Sequence, residues 1–321
     1  MDLSRFCYQY VKDFWVITAY YNPCGYKSRR YNYDQFSQAM KNSGIPLLTV
    51  ECAFGDQPFN LPGEIDTVRL RSKSVIWQKE RLLNLATSWL PKSCKYLAWI
   101  DCDLLFINLG WAKEVVDLLE EFPLIQLFET CHRLSEGNDI EQTQDVCRSF
   151  TSVTSKDSNI LNLGHFEKHG HTGYGWATRR EVLDRHGLYE YAIIGSGDHY
   201  IAHAAFGDLG GKCMGLMTNG DQKQIRHFAD WGQPFFETIQ GRVGTVSGSV
   251  LHLWHGNLGN RRYLLRNREL TEHGFDPYSD LVALPGKPLE WRFDLGKPDL
   301  VSMFETYFVS RYEDGLVVAT A

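Results

Sequence analysis

Short apolar runs alternate with amphipathic helical segments through the first 130 or so residues, and no other pattern restricts the fold of this chain as much. Residues 14–19 (FWVITA), 46–52 (PLLTVEC), 96–100 (YLAWI) and 124–128 read as buried strands, with a weaker strand over 67–70. Between them, 33–42, 75–90 and 111–121 read as helices. In the segment 75–90 the apolar residues fall at 75, 76, 82, 83, 86, 89 and 90, a single helical stripe. Such alternation predicts an α/β fold, a Rossmann-like and mostly parallel central sheet with helices on both faces. Ligands of these sheets sit beyond the carboxyl ends of the strands. The loops after Ala19, Cys52 and Ile100 are therefore the places to look, the first of them the turn-rich, basic YYNPCGYKSRR.

The stretch from about 130 to 172 is polar and irregular and reads as a long loop, of the kind that is either functional or mobile. Helices are expected from near Arg179 to Gly187 and from near Asp198, a late strand over 249–254 and a helix over 261–273. No clear element follows. There is no Pro/Gly/Ser linker, so one catalytic domain (1–260) with a C-terminal extension (261–321) packed on it is predicted.

Lys and Arg total 33 against 39 Asp and Glu, and 43% of the 321 residues are hydrophobic. That balance fits a soluble globular protein and excludes one that coats nucleic acid through a globally basic surface. No run approaches the roughly 18–20 apolar residues of a membrane span. The N-terminus carries Asp2, Arg5, Lys12 and Asp13 and no apolar signal core, so a cytoplasmic protein is predicted (a host's cytoplasm, if phage-encoded). The eight cysteines, at 7, 24, 52, 94, 102, 131, 147 and 213, form no CxxC pair. Thiols are the expectation, with neither a disulfide framework nor structural zinc.

The sharpest chemical feature is YLAWIDCDLLF, where Asp101 and Asp103 follow a buried strand two residues apart. Carboxylates so placed can turn toward one cation, and Mg²⁺ or Mn²⁺ shares its shell between such oxygens and ligand phosphates. LHLWHGNLGNRRY supplies a third ligand. If 249–254 is a strand, His252 points to a face and His255 lies just past its end, which favours His255. The glycine after it would let backbone approach a phosphate.

Together these features resemble the nucleotide-sugar glycosyltransferases of the GT-A fold, over roughly residues 12–275. Asp101-Cys102-Asp103 matches their DXD motif. WQKERLLNLA, with Lys79, Arg81 and Asn84, is similar to the basic, asparagine-bearing helix that touches the nucleotide. GYGWATRRE followed by GSGD is similar to the glycine- and aromatic-rich motif with a downstream acid found in inverting members. WHG with its basic sequel resembles the C-terminal histidine that completes the metal site. ECAFGDQPF and FDPYSDL resemble a glycosyltransferase-like group frequent in bacteria and their phages. One departure stands out: the motif often ends Glu-Asp, whereas Gly197-Asp198-His199 leaves one carboxylate.

The resemblance implies a hexosyl- or pentosyltransferase that uses a nucleoside-diphosphate sugar such as a UDP-sugar, Mn²⁺ or Mg²⁺, and a hydroxyl acceptor. An ion on Asp103 and His255, with Asp101 directly or through water, would neutralise the departing diphosphate. Lys79, Arg81, Arg261 or Arg262 would add charge, although one of the two late arginines is better read as lying on a solvated helix face. Asp198 is the candidate base; an Asp there is also a good helix N-cap. Thr18 and Ala19 would place backbone at the nucleobase, Glu51 would hold ribose hydroxyls, and Tyr20, Tyr21 and Trp77 would stack on base or sugar. Trp176 would line the acceptor side. His165, His169 and His171 of HFEKHGH lack a neighbouring cysteine or acid at ligand spacing, and zinc is not expected there. The acceptor is a glycan, a small molecule, a protein or a modified DNA base, the last on the strength of KSRR (27–30), RLRSK (69–73) and RR (261–262). Two rival readings remain. A nucleotidyltransferase would usually carry a glycine-rich first loop, where this chain has only Gly25. The other is a catalytically silent nucleotide- or sugar-binding protein.

Overall fold

The first strand, FWVITAYY, is buried along nearly its whole length, as a strand covered on both faces must be. The computed structural model describes residues 11–63, 66–139, 141–166 and 168–315; the charged N-terminal segment with Cys7 lies outside the described residues. The chain runs β1 (Phe14–Tyr21), α1 (Lys27–Asn42), β2 (Leu47–Phe54), β3 (Thr67–Ser72), α2 (Lys79–Thr87), β4 (Tyr96–Ile100), β5 (Leu104–Phe106), α3 (Trp111–Leu119) and β6 (Leu124–Gln126). It continues through β7 (Thr130–Leu134), β8 (Thr143–Arg148), α4 (Phe150–Thr154), β9 (Gly175–Arg179), α5 (Arg180–His186), α6 (Gly197–Ala205), α7 (Lys212–Met217) and α8 (Gln222–Ile239). The last part holds β10 (Val243–Thr245), β11 (Ser249–His252), α9 (Tyr263–Glu272), β12 (Leu281–Ala283), β13 (Leu289–Trp291) and α10 (Pro298–Ser310).

A seven-stranded sheet in the order β10-β6-β9-β4-β1-β2-β3 forms the centre. All its pairings are parallel except those of β9, which runs antiparallel between β4 and β6. The mixed α/β architecture with a mostly parallel sheet is thus the one expected. Side-chain alternation divides the core in two. Phe14, Val16, Ala98 and Ile100 pack with Phe36, Met40, Trp111 and Val115 of α1 and α3. Ile17, Tyr21, Leu97, Trp99 and Trp176 face α2, α6 and α8 on the other side, among Leu82, Ile201 and Phe228. A second sheet, β5-β11-β7-β8, begins directly after the Asp101–Asp103 stretch.

Several elements depart from the sequence reading. The helix expected over 75–90 starts only at Lys79. The Trp77 N–H is taken by the Ile193 carbonyl (2.8 Å), and Ile76 packs with Ile193 and Ile194 instead of extending the stripe. The stretch 130–172 is not a bare loop: it carries β7, β8 and α4. β8 is an edge strand with mostly exposed side chains, so it has no apolar alternation to betray it. The tail has a clear element as well, α10, which buries Leu300, Phe304, Tyr307 and Phe308 on one stripe. Among the described residues no helix is long and apolar enough to cross a membrane.

The C-terminal residues are wired into the first half of the chain. Asp314 accepts from the Lys27 and Ser28 N–H groups (2.9 and 2.8 Å), capping α1, so the helix starts inside the segment read as loop. Gly256, expected to admit a phosphate, admits this tail instead. At φ +83° its missing Cβ would stand 2.8 Å from the Tyr312 carbonyl oxygen. Gly256→Ala adds left-handed strain and that clash, and should lower the unfolding free energy by more than about 1 kcal/mol, read as a lower denaturant midpoint at unchanged slope.

Candidate active site

The two sheets meet at the aspartate pair. The Asp101 N–H donates to the Tyr174 carbonyl (2.8 Å) because antiparallel β9 sets Gly175 opposite Ile100. Two residues on, β5 pairs with β11, Leu104 opposite His252, and the Leu253 N–H donates to the Asp103 carbonyl (2.8 Å). One aspartate is thereby held to each sheet. The cleft above them, about 440 Å³, opens beyond the carboxyl ends of β1 and β4.

Asp103 stands with both late histidines. Its Oδ2 is 2.9 Å from His255 Nε2 and its Oδ1 3.8 Å from His252 Nε2, while the two Nε2 atoms are 3.3 Å apart. Asp103 Oδ1 is buried without a hydrogen-bond partner. Burial holds His252 well below its usual pKa, so the ring is neutral and its lone pair is available. Burial works against the ionised Asp103, but the neighbouring imidazoles and Arg261 outweigh it and hold the carboxyl below its usual range. Behind His255, Glu313 lies 3.6 Å from Nδ1 and is itself paired with Arg29 and Arg311 (2.5 Å each). A carboxylate behind a ligating histidine orients it. The orphaned oxygen, the facing nitrogens and this backing fit a divalent cation. One carboxylate with two imidazoles suits a transition ion better than Mg²⁺, which takes oxygen ligands.

Asp101 is engaged otherwise. Lys79 Nζ reaches Asp101 Oδ1 at 2.5 Å and Asp198 Oδ2 at 2.6 Å, bridging the expected metal ligand and the expected base. Burial pushes Asp101 up to about 6, Lys79 opposing and Asp198 adding. Lys79 is held well above its usual value: burial opposes its charge, and Asp101, Asp198 and Glu80 prevail. Glu80, with Oε1 buried and unpartnered, is pushed by burial up to about 8. Its carboxyl fills the space a side chain at Gly197 would need, with Oε1 2.1 Å from an added Cβ.

The other expected residues divide. Ala19, Trp77, Lys79, Asp198 and Arg261 line the cleft with the aspartates. Asp198 is not the cap of α6; that position falls to Ser196, in the left-handed region. Arg81 and Asn84 turn away, to Glu190 and Leu188, because positions two and five residues after Lys79 lie on other helix faces. Thr18 is sealed in the sheet, donating to the Ile100 carbonyl (2.7 Å). Tyr20 packs edge-on against Tyr33 in a side core, and it is Tyr21, on the opposite face of β1, that borders the cleft. Glu51 spends its Oε1 on the Asn60 and Leu61 N–H groups. Trp176 is fully buried, donating to the Thr172 carbonyl (2.8 Å). Arg262 pairs with Glu269, away from the cleft. His165, His169 and His171 do not converge; His171 stacks on Tyr174 at 4.1 Å in the cleft wall. Sequence reasoning missed Glu80, Arg266, Arg311 and Glu313. Glu80 had a signal, as an acid beside Lys79 on the apolar stripe; Arg311 and Glu313 had none.

Several residues of the basic clusters have partners within the chain, some of them at the surface. Arg29 pairs with Glu313, Arg30 with Asp34, Arg69 with Glu51, and Arg71 donates to the Gly55 and Gln57 carbonyls.

No protein-family model matches the sequence, and no curated protein matches it. Among solved structures, the catalytic domain of Drosophila β1,4-galactosyltransferase 7 in complex with xylobiose aligns over 89% of this chain and 98% of its own, at 13% identity and TM-score 0.37. A mutant of that protein holding manganese, UDP-Gal and xylobiose gives the same figures. Mannosyl-3-phosphoglycerate synthase from Rubrobacter xylanophilus aligns over 86% and 83%, at 11% identity and TM-score 0.37. At that distance function has to be read from side chains.

Glu80 binds its proton more tightly folded than unfolded, so its contribution to stability falls as pH rises from about 4.5 to about 8 and is level outside that window. Glu80→Gln removes the titration. Thermal melts at about pH 5 and about pH 8.5 should show the variant gaining on the wild type at the higher pH. An unchanged gap would mean that Glu80 is ionised in the fold.

Proposed function

We propose that the protein is a metal-dependent glycosyltransferase of the GT-A type. It moves a hexosyl or pentosyl group from a nucleoside-diphosphate sugar, such as a UDP-sugar, to a hydroxyl acceptor with inversion, and it acts in the cytoplasm. The observation that carries this reading is the convergence of Asp103, His252 and His255 in the same cleft as the Lys79–Asp198 pair.

Asp103, His252 and His255 would hold the ion, Mn²⁺ rather than Mg²⁺ given the two imidazoles. When bound, it supplies Lewis-acid neutralisation of the negative charge on the departing diphosphate. Glu313 keeps the His255 ring oriented. Arg261, whose Nη2 lies 2.8 Å from His255 Nε2, and Lys79 bring fixed positive charge to the same end of the cleft. Tyr21 and Trp77, in edge contact at 5.4 Å, offer aromatic surface to the base or sugar.

Asp198 accepts the proton that the acceptor hydroxyl loses as it attacks. Lys79 holds Oδ2 and leaves Oδ1 for that proton. Asp101 serves this step by fixing the position of Lys79, not by gripping the ion. The extension 261–321 belongs to the working unit, since it supplies Arg261, Arg311 and Glu313. Since Arg29, Arg30, Arg69 and Arg71 already have partners within the chain, a sugar or another small hydroxyl compound is favoured as acceptor over a DNA base.

The test is a panel of nucleotide sugars with Mn²⁺, read as released nucleoside diphosphate. Asp103→Ala should abolish the metal-stimulated rate. Asp198→Asn should lower turnover by about 10²–10⁴-fold, measured at a temperature where circular dichroism shows the variant folded. Pyrophosphate release from a nucleoside triphosphate and a sugar phosphate would favour a nucleotidyltransferase instead. Tight calorimetric binding of UDP and Mn²⁺ without turnover on any donor would make the protein a silent binding module.

A further inference from the structure

A second cluster of metal-ligating side chains, which the transfer chemistry does not use, runs from the cleft wall, where His169 and His199 stand, into the core behind it. His169, His199, His203 and Cys213 each bring a ligand atom within 4.8 Å of the others. His199 and His203 stand one turn apart on one face of α6, Cys213 lies at the start of α7, and His169 lies in the segment before β9. All are buried, His203 and Cys213 completely.

We propose that these four residues form a structural zinc site that ties the cleft wall to α6 and α7. Three features beyond proximity support it. The Nε2 atoms of His199 and His203 are buried and lack a hydrogen-bond partner. Leaving such a nitrogen unsatisfied carries a desolvation penalty that coordination removes. The other ring nitrogens of His203 and His169 are arranged as in metal-ligating histidines, whose distal N–H is given to a carboxylate or a carbonyl. His203 Nδ1 meets Asp208 Oδ2 at 2.7 Å, and His169 Nδ1 meets the Gly170 carbonyl at 2.8 Å. Asp208 Oδ1 also accepts from the Gly211 N–H (2.9 Å), at the entry to the helix that carries Cys213. Finally, three imidazoles and one thiol supply four nitrogen and sulfur donors, the ligand types and the number that close a tetrahedral zinc site. A tetrahedral zinc would draw the ligand atoms to roughly 3.3–3.6 Å from one another. The Cys213 thiol proton leaves to solvent as the Zn–S bond forms.

Ring packing alone does not account for the cluster. His169 meets Phe150 and Phe166 edge-on, and the His199 and His203 rings are 4.1 Å apart. Apolar rings would fill that space without orphaned nitrogens. Zinc here would have a consequence for the cleft, because His199 follows Asp198 and His169 precedes the 171–174 wall. The ion would set where the base stands without touching substrate.

The test reads metal, so it is independent of whether the chain transfers sugar. Wild-type protein expressed with added zinc and dialysed against a mild chelator should retain near-stoichiometric zinc by mass spectrometry. After exchange, cobalt should show the visible bands of a tetrahedral site and a thiolate charge-transfer band. Cys213→Ser should lose the charge-transfer band, while Asp103→Ala keeps zinc and both spectral features. Stripping with a strong chelator should lower the melting temperature. Zinc-free wild-type protein with no tetrahedral cobalt spectrum would overturn the proposal, as would zinc that is lost in Asp103→Ala and kept in Cys213→Ser.

Discussion

A carboxylate taken out of water needs a counter-charge or a proton, and this cleft gathers Glu80, Asp101, Asp103, Asp198 and Glu313 around one opening. Desolvation costs several kcal/mol for each ionised group unless geometry repays it. Lys79 repays two of them at once, bridging Asp101 and Asp198. Arg29 and Arg311 serve Glu313, and Asp103 has His255 at 2.9 Å and the charge of Arg261 nearby. Glu80 has no cation to itself and takes a proton instead. So dense a set of buried acids is an expensive way to build a core, and perturbed groups of this kind concentrate where chemistry is done.

That charge arrangement depends on how the sheets are joined. Because β9 runs against its neighbours, the glycine-flanked Tyr174 lies beside Asp101 although more than seventy residues separate them in the chain. Because β5 starts a second sheet immediately after Asp103, the end of β11 lies against it and brings both histidines. The tail then closes the far side, Glu313 reaching His255 and Asp314 capping α1.

Much of this was legible in the sequence. Burial on both faces makes β1, β2 and β4 continuous apolar runs, and the pair of acids after such a run is conspicuous. Lys79, Asp198, Arg261 and His255 were all singled out and all line the cleft. The failures are failures of facing. Tyr20 and Tyr21 are adjacent on a strand whose side chains alternate, and nothing local says which parity meets the ligand. Arg81 and Asn84 belong to the right helix and the wrong faces of it. Glu51 lies within the right strand, which runs on to Phe54, and is claimed by two backbone N–H groups of the loop that follows.

What the sequence determined by itself is what short-range periodicity encodes: the buried strands and amphipathic helices of the first 130 or so residues, and that the sheet they build is mostly parallel. The tertiary structure alone decided which polar groups share a buried space. Whether Asp101 meets Lys79, His255 meets Glu313, or Cys213 meets His169 depends on contacts across tens to hundreds of residues. Such contacts leave no local pattern, because a buried polar group needs only that a partner arrive, not that it be near in the chain.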